Sequence, residues 1–173
     1  MKINCENYEI LQGVVEFTRP EDLIKRIQAT GLQYHCCIIC IDAERVAGRE
    51  HVESAVRHAI RAWCERKAIA DSLEMEVLLY TGGTRQTGVA RTFGVNPETK
   101  RLYLCFIPPN ERAVAEIGRW VQYNEDCWEE MAEEKIRRLM DLFGVTPAEC
   151  AAIGIDHIKS LVIERVALLD VYK

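Results

Sequence analysis

The sequence is poor in the groupings from which catalytic centres are assembled. It has four histidines in 173 residues, and none stands at a spacing that grips a metal. It contains no G-x-S-x-G, no phosphate-binding P-loop and no kinase signature. Hydroxyls and carboxylates are plentiful, yet none forms a recognisable acid–base or nucleophile–base pair. An enzyme, a resident cofactor, a metal site and a small-molecule substrate are therefore not expected. No apolar run approaches the ~20 residues that span a bilayer. The opening MKINCENYEI has neither the apolar stretch nor the small-residue cleavage site of a secretory signal, so no membrane partner is expected. Repeats, low-complexity tracts and long linkers are missing too, which predicts one domain over residues 1–173.

Cysteine is not scarce: there are eight. Most lie in apolar segments, with Cys36, Cys37 and Cys40 in HCCIICI and Cys105 in LYLCFI. There a free thiol packs as a small hydrophobe. This usage fits a reducing cytoplasm better than a disulfide scaffold. Cys37 and Cys40 form a C-x-x-C, but on a strand residues three apart point to opposite faces. No second pair completes a zinc site.

Net charge is −5, and its distribution says more than its sum. Residues 1–47 carry five basic and seven acidic side chains, residues 48–101 nine and seven, and residues 102–173 eight and thirteen. The whole chain is no polyanion binder, and a phosphate or nucleic-acid site belongs in the middle third. The acidic run Glu125–Glu134 reads as a solvated helix face, with four carboxylates in the favourable first turns.

Periodicity predicts an α+β fold, with a small central sheet of three or four strands surrounded by about seven helices. Strands are expected over Tyr8–Phe17 (with Gly13 as a possible bulge), His35–Asp42 and Arg101–Ile107. Thr18 and Glu21 can form a capping box for a helix that stops at Gly31. Gly48 to about Arg66 is a long helix with Val52, Ala55, Val56, Ala59, Ile60 and Trp63 inside. Asp71 or Ser72 can cap a helix through Met75, Leu78 and Leu79 that Gly82 and Gly83 end, although EMEVLLY also suits a strand. Thr84 can cap a short helix to Phe93, closed by Gly94. Asn110 opens a helix burying Val114, Ile117, Trp120 and Val121. Another helix is expected from about Glu125 to Phe143, burying Trp128 and Met131. Thr146 and Glu149 form a second capping box. Asp156 can cap the last helix, where Ile158, Leu161, Val162, Val166 and Leu169 share a face.

Three features invite a binding function. The first is a basic cluster of Arg57, His58, Arg61, Arg66 and Lys67, in which Arg57 and Arg61 project together. A solvated face is its plain alternative, and a surface or interface position is expected for His51 and His58. The second is Gly82-Gly83-Thr84-Arg85-Gln86-Thr87. Glycines admit a ligand close to the backbone, and a helix start offers unpaired N–H groups to an anion. The third is the last helix, which is apolar on more than one side and is either central to the core or a docking patch.

The stretches RHAIRAWCERKAIADSLEMEVLLYTGGTRQ and VIERVALLDV resemble the PRPK-binding (kinase-binding protein) family, the small regulatory subunit of the KEOPS complex. The shared pattern is a helix ending in a basic residue, an Ala-Asx-Ser break, an M-E-x-L-L-Y run, a Gly-Gly turn with Arg-Gln after it, and V-x-E-x-V-A-L-L-D. The turn departs from the family's usual Ser-Gly. The resemblance implies a non-catalytic, cytoplasmic subunit that docks on and regulates the complex's atypical kinase/ATPase. That complex makes threonylcarbamoyladenosine on tRNA, and archaeal-type members of the family also capture the single-stranded CCA end. Carried over, the RNA end would meet Arg61, Arg66, Lys67, Ser72, Glu76, Gly83, Arg85 and Gln86. The kinase would meet Ile158, Leu161, Val162 and Leu169. A pure protein adaptor of the kinase with no RNA contact is the alternative, favoured by the net acidic charge.

Overall fold

The structure is a computed structural model that describes residues 7–171. Its frame is one antiparallel sheet. β1 (Glu9–Val15), β2 (Cys37–Asp42), β3 (Arg101–Ile107) and β4 (Val121–Asn124) lie in the order β2-β3-β1-β4. β3 is apolar and buried from Leu102 to Ile107 because both of its faces are covered. Tyr103, Cys105 and Ile107 face one core, whereas Leu102, Leu104 and Phe106 face the other. The expected divergence of the C-x-x-C follows the same alternation, with Cys37 in the first core and Cys40 in the second. The cysteines among the described residues are free thiols.

Two helices cover the second core. α1 (Pro20–Tyr34) and α5 (Glu111–Ile117) bring Leu23, Ile27, Ala113 and Ile117 against the sheet. The other face carries the rest. α2 (Arg49–Cys64), α3 (Leu73–Thr81), α6 (Glu133–Phe143) and α8 (Ile158–Leu168) pack there, with the short α4 (Thr87–Arg91) and α7 (Pro147–Ile153) beside them. The result is the expected α+β architecture, with eight helices and four strands among the described residues.

Several local expectations need correction. α1 begins at Pro20, whose fixed φ suits the first helical position, so Arg19 stands at the cap and the Thr18 box does not form. α1 also runs through Gly31 to Tyr34 and ends at His35, which takes the left-handed conformation (φ 53°). Gly31 serves close approach instead, since a Cβ there would lie 2.6 Å from the Cys36 carbonyl oxygen. Gly13 is no bulge. It pairs in register with Leu102 and Tyr123, and the Val121 side chain fills the space of its missing Cβ. α5 stops at Ile117, and Val121 opens the fourth strand, paired with Val15, rather than continuing a helix past Trp120.

The acidic run is not a helix before Glu133. Residues 125–132 cross the molecule in irregular conformation because Trp128 anchors them. Its indole is buried, meets Tyr103 edge-on and receives the Arg101 guanidinium at 5.2 Å. An indole burying roughly 200 Å² contributes on the order of 5 kcal/mol. That outweighs the few tenths of a kcal/mol per residue by which side chains differ in helix preference. Glu129 is fixed as well, accepting from the Arg49 amide at 3.1 Å and from Lys159 Nζ at 2.7 Å. The last helix is preceded by a 3-10 turn, Ile155–His157, and Asp156 does not cap it.

Candidate functional site

The informative region is the α2–α3 hairpin and the turn that follows it. α2 buries Val52, Ala55, Val56, Ala59 and Ala62 on one face and exposes Arg57 and Arg61 on the other. It ends when Arg66 takes a left-handed conformation (φ 58°) and the Lys67 amide turns back to the Ala62 carbonyl at 2.8 Å. Arg66 and Lys67 are exposed, and Lys67 pairs with Glu65 at 2.8 Å. α3 starts at a true cap, with Ser72 Oγ accepting from the Met75 amide at 3.2 Å. EMEVLLY is therefore helix, not strand.

Glu76 lies on the inner side of α3 and is fully buried. Its Oε2 accepts from the amides of Ile69 and Ala70, each at 2.8 Å. The carboxylate thus holds the loop between α2 and α3 from beneath. Expected as an RNA contact, Glu76 is instead buried support for that loop. No hydrogen-bond partner meets its Oε1 among the described residues.

The Gly82-Gly83 turn is also built inward. Gly83 has φ 56°, and a Cβ on it would lie 3.0 Å from the Arg165 carbonyl oxygen of α8. A Cβ on Gly82 would lie 2.8 Å from the Phe93 ring. The backbone that these glycines admit is the protein's own. Thr84 does not cap the next helix. Its hydroxyl accepts from the Gln86 amide at 3.1 Å, and α4 starts only at Thr87. Arg85 and Gln86 are exposed at this turn.

The predicted RNA residues therefore form two groups. α3 separates Ser72 from Gly83 by eleven residue steps, on the order of 16 Å at the rise of an α-helix. Arg66, Lys67 and Ser72 lie at one end; Gly83, Arg85 and Gln86 lie at the other. Arg61 is one turn back on α2. His51 pins the second end. It is fully buried, not a surface residue, and it accepts from the Ala47 amide at Nδ1 (3.0 Å) while Nε2 donates to the Thr81 carbonyl (2.9 Å). Burial pushes its pKa down to about 4, the Thr81 bond opposes this and Lys135 adds to it.

α8 shows which of its sides is free. Ile158, Val162, Val166 and Leu169 are buried in the core. Three of the four expected docking residues, Ile158, Val162 and Leu169, are thus turned inward, and Leu161 is half-buried. The reason is the crowded middle position of the helix, which packs on α2, α6 and α3. The outward stripe runs through Ser160, Ile163, Ala167 and Val171 at steps of three and four. Val171 is 71 % exposed, and Ile155 and Ile153, before the helix, are 51 % and 40 % exposed.

One cluster escaped the sequence reading. Asp170, just beyond α8, accepts from the Tyr80 hydroxyl at Oδ1 and from Arg61 and His58 Nδ1 (2.6 Å) at Oδ2. His58 stacks on Tyr80 with ring centroids 5.6 Å apart. Burial, and then the bond to Asp170, keep the Tyr80 hydroxyl protonated well above the ordinary phenol range. A carboxylate at a helix C-terminus runs against the dipole. That was the one available signal.

No group of three metal-ligating side chains comes together among the described residues. A surface concavity of about 830 Å³ lies by Tyr8–Leu11 and Glu111, away from both loops. The chain belongs to the kinase binding protein CGI-121 family, the KEOPS subunit family, whose model matches residues 15–170. None of the curated proteins compared with it matches.

Proposed function

We propose that this protein is the non-catalytic, cytoplasmic KEOPS subunit that binds and regulates the complex's kinase/ATPase and tethers tRNA by its CCA end. The observation that carries the reading is the separation of two different surfaces. The α2–α3 loops and the turn after α3 are basic and held rigid by buried groups. Arg57, Arg66 and Arg91 have no ion pair among the described residues, which leaves their charge for phosphates. The outer side of α8, by contrast, carries Ile163, Ala167 and Val171 beside Ser160 and Glu164, and with Ile153 and Ile155 it suits a protein partner.

In this reading the kinase meets Ile163, Ala167, Leu168 and Val171 of the α8 side, with Ile153 and Ile155 adjoining. The RNA end runs between Lys67 and Ser72 on one side and Arg85 and Gln86 on the other. Tethering raises the local concentration of tRNA at a distant catalytic centre and needs no chemistry from this chain. Filter binding with intact tRNA and with tRNA lacking CCA tests it. Intact tRNA should bind tighter, and affinity should fall steeply with salt. Equal affinity for the two RNAs refutes capture of the tail. Absence of any RNA binding, with kinase binding retained, favours the pure adaptor.

A further inference from the structure

The Asp170 cluster is more than a staple between helices. Three donors from two helices converge on one carboxylate: the Arg61 guanidinium and His58 Nδ1 from α2, and the Tyr80 hydroxyl from α3. Both carboxylate oxygens are engaged, and the His58–Tyr80 stack holds two of the donors in place. Such a constellation is an oxyanion receptor, and a phosphate offers the same paired oxygens in a similar bite. Asp170 is nevertheless held there against an unfavourable field. It sits in the turn after the last helix, where the helix dipole disfavours an anion. Its side chain is 26 % exposed and that of Arg61 is 55 % exposed, so solvent and ligand reach the pair. Arg57, one turn back on α2, and Arg66, just past the end of that helix, raise the local positive potential.

We propose that Arg61, His58 and Tyr80 form a phosphate-binding site for RNA, and that Asp170 occupies it as an intramolecular stand-in until an RNA phosphate displaces it. This rests on the tRNA-tethering reading above. Displacement releases the end of α8 from α2 and α3, so the RNA site and the outward stripe of α8 share one element with two states. Linkage then requires that a kinase bound to that stripe alters RNA affinity by the factor with which RNA alters kinase affinity.

Asp170→Asn tests the proposal. The amide keeps an acceptor for Tyr80 but loses the charge that holds Arg61. In filter binding with a CCA-ended tRNA, Asp170→Asn should bind three- to ten-fold tighter than the parent chain. Its affinity should also fall more steeply with salt, by about one further unit of slope for the freed cation. Adding Arg61→Gln to Asp170→Asn should cancel both gains. A purely structural ion pair predicts the opposite, an unchanged or weaker complex from Asp170→Asn, and that result overturns the proposal. Should the variant fold poorly, the parent chain supplies the second readout. RNA titrated into it should move the NMR signals of His58 and Tyr80, and unmoved signals in a complex that does form overturn the latch. Failure of the tethering reading looks different, because then neither the parent chain nor Asp170→Asn binds tRNA.

Discussion

His51 allows a quantitative acid-stability prediction that bears on the candidate site. The ring is fully buried and neutral, with Nδ1 accepting from the Ala47 amide and Nε2 donating to the Thr81 carbonyl. Protonation places a hydrogen on Nδ1 against an N–H donor and leaves a cation in the core near Lys135. The folded pKa of about 4 lies below the ordinary 6.5. Between these values the unfolded chain binds more protons than the folded one, so stability rises with pH. The contribution is fully present above pH 6.5 and is lost as pH falls towards 4. Integration gives a loss of about 2 kcal/mol at pH 5 and about 3 kcal/mol at pH 4, relative to pH 7. With a urea slope of about 2 kcal/mol per molar, the midpoint should drop by roughly 1 M between pH 7 and pH 5. Urea unfolding followed by circular dichroism reads this, and NMR titration of the His51 ring assigns it. A His51 ring that titrates near 6.5 in the folded protein refutes the reasoning. Since Thr81 is the last residue of α3, melting at His51 should also loosen the turn that carries Arg85 and Gln86.

Other expectations follow from the same packing. Glu76→Ala leaves the Ile69 and Ala70 amides without their acceptor and should cost about 1–3 kcal/mol; tRNA binding should weaken while kinase co-purification persists, and an unchanged urea midpoint contradicts the role. Gly83→Ala puts a Cβ beside the Arg165 carbonyl at a φ that only glycine takes without strain, for a loss of about 1–2 kcal/mol by thermal melting. Val171→Asp should abolish kinase co-purification without lowering stability, whereas Val162→Asp buries an unpaired charge and should unfold the chain. Pull-down beside circular dichroism separates the two, and a Val171→Asp chain that still binds the kinase removes α8's outer stripe from the interface.

Much of the fold was legible because local rules and tertiary packing agree. β3 over Arg101–Ile107, the Ser72 and Asn110 caps, the Thr146–Glu149 box and the long α2 all match their sequence signals. Failures cluster where a distant contact outbids a local pattern. Trp128 drags residues 125–132 out of helix, Val121 leaves α5 for a strand beside Val15, and Pro20 takes the start of α1 from Thr18.

The candidate site divides along the same line. The amino-acid sequence by itself determined which stretches are basic, capped and glycine-broken, because caps, turns and charge runs are set by neighbours within a few residues. Its resemblance over residues 57–86 and 162–171 was enough to point to the family. Only the tertiary structure decided which way these residues face. Glu76 and His51 turned inward because loop amides and the Thr81 carbonyl needed partners. Gly82 and Gly83 admit Phe93 and α8 rather than a ligand. Ile158, Val162 and Leu169 became core because α8 is wedged among α2, α3 and α6. Asp170 joined Arg61, His58 and Tyr80 across about 90 to 110 residues of sequence, a convergence that no local pattern encodes.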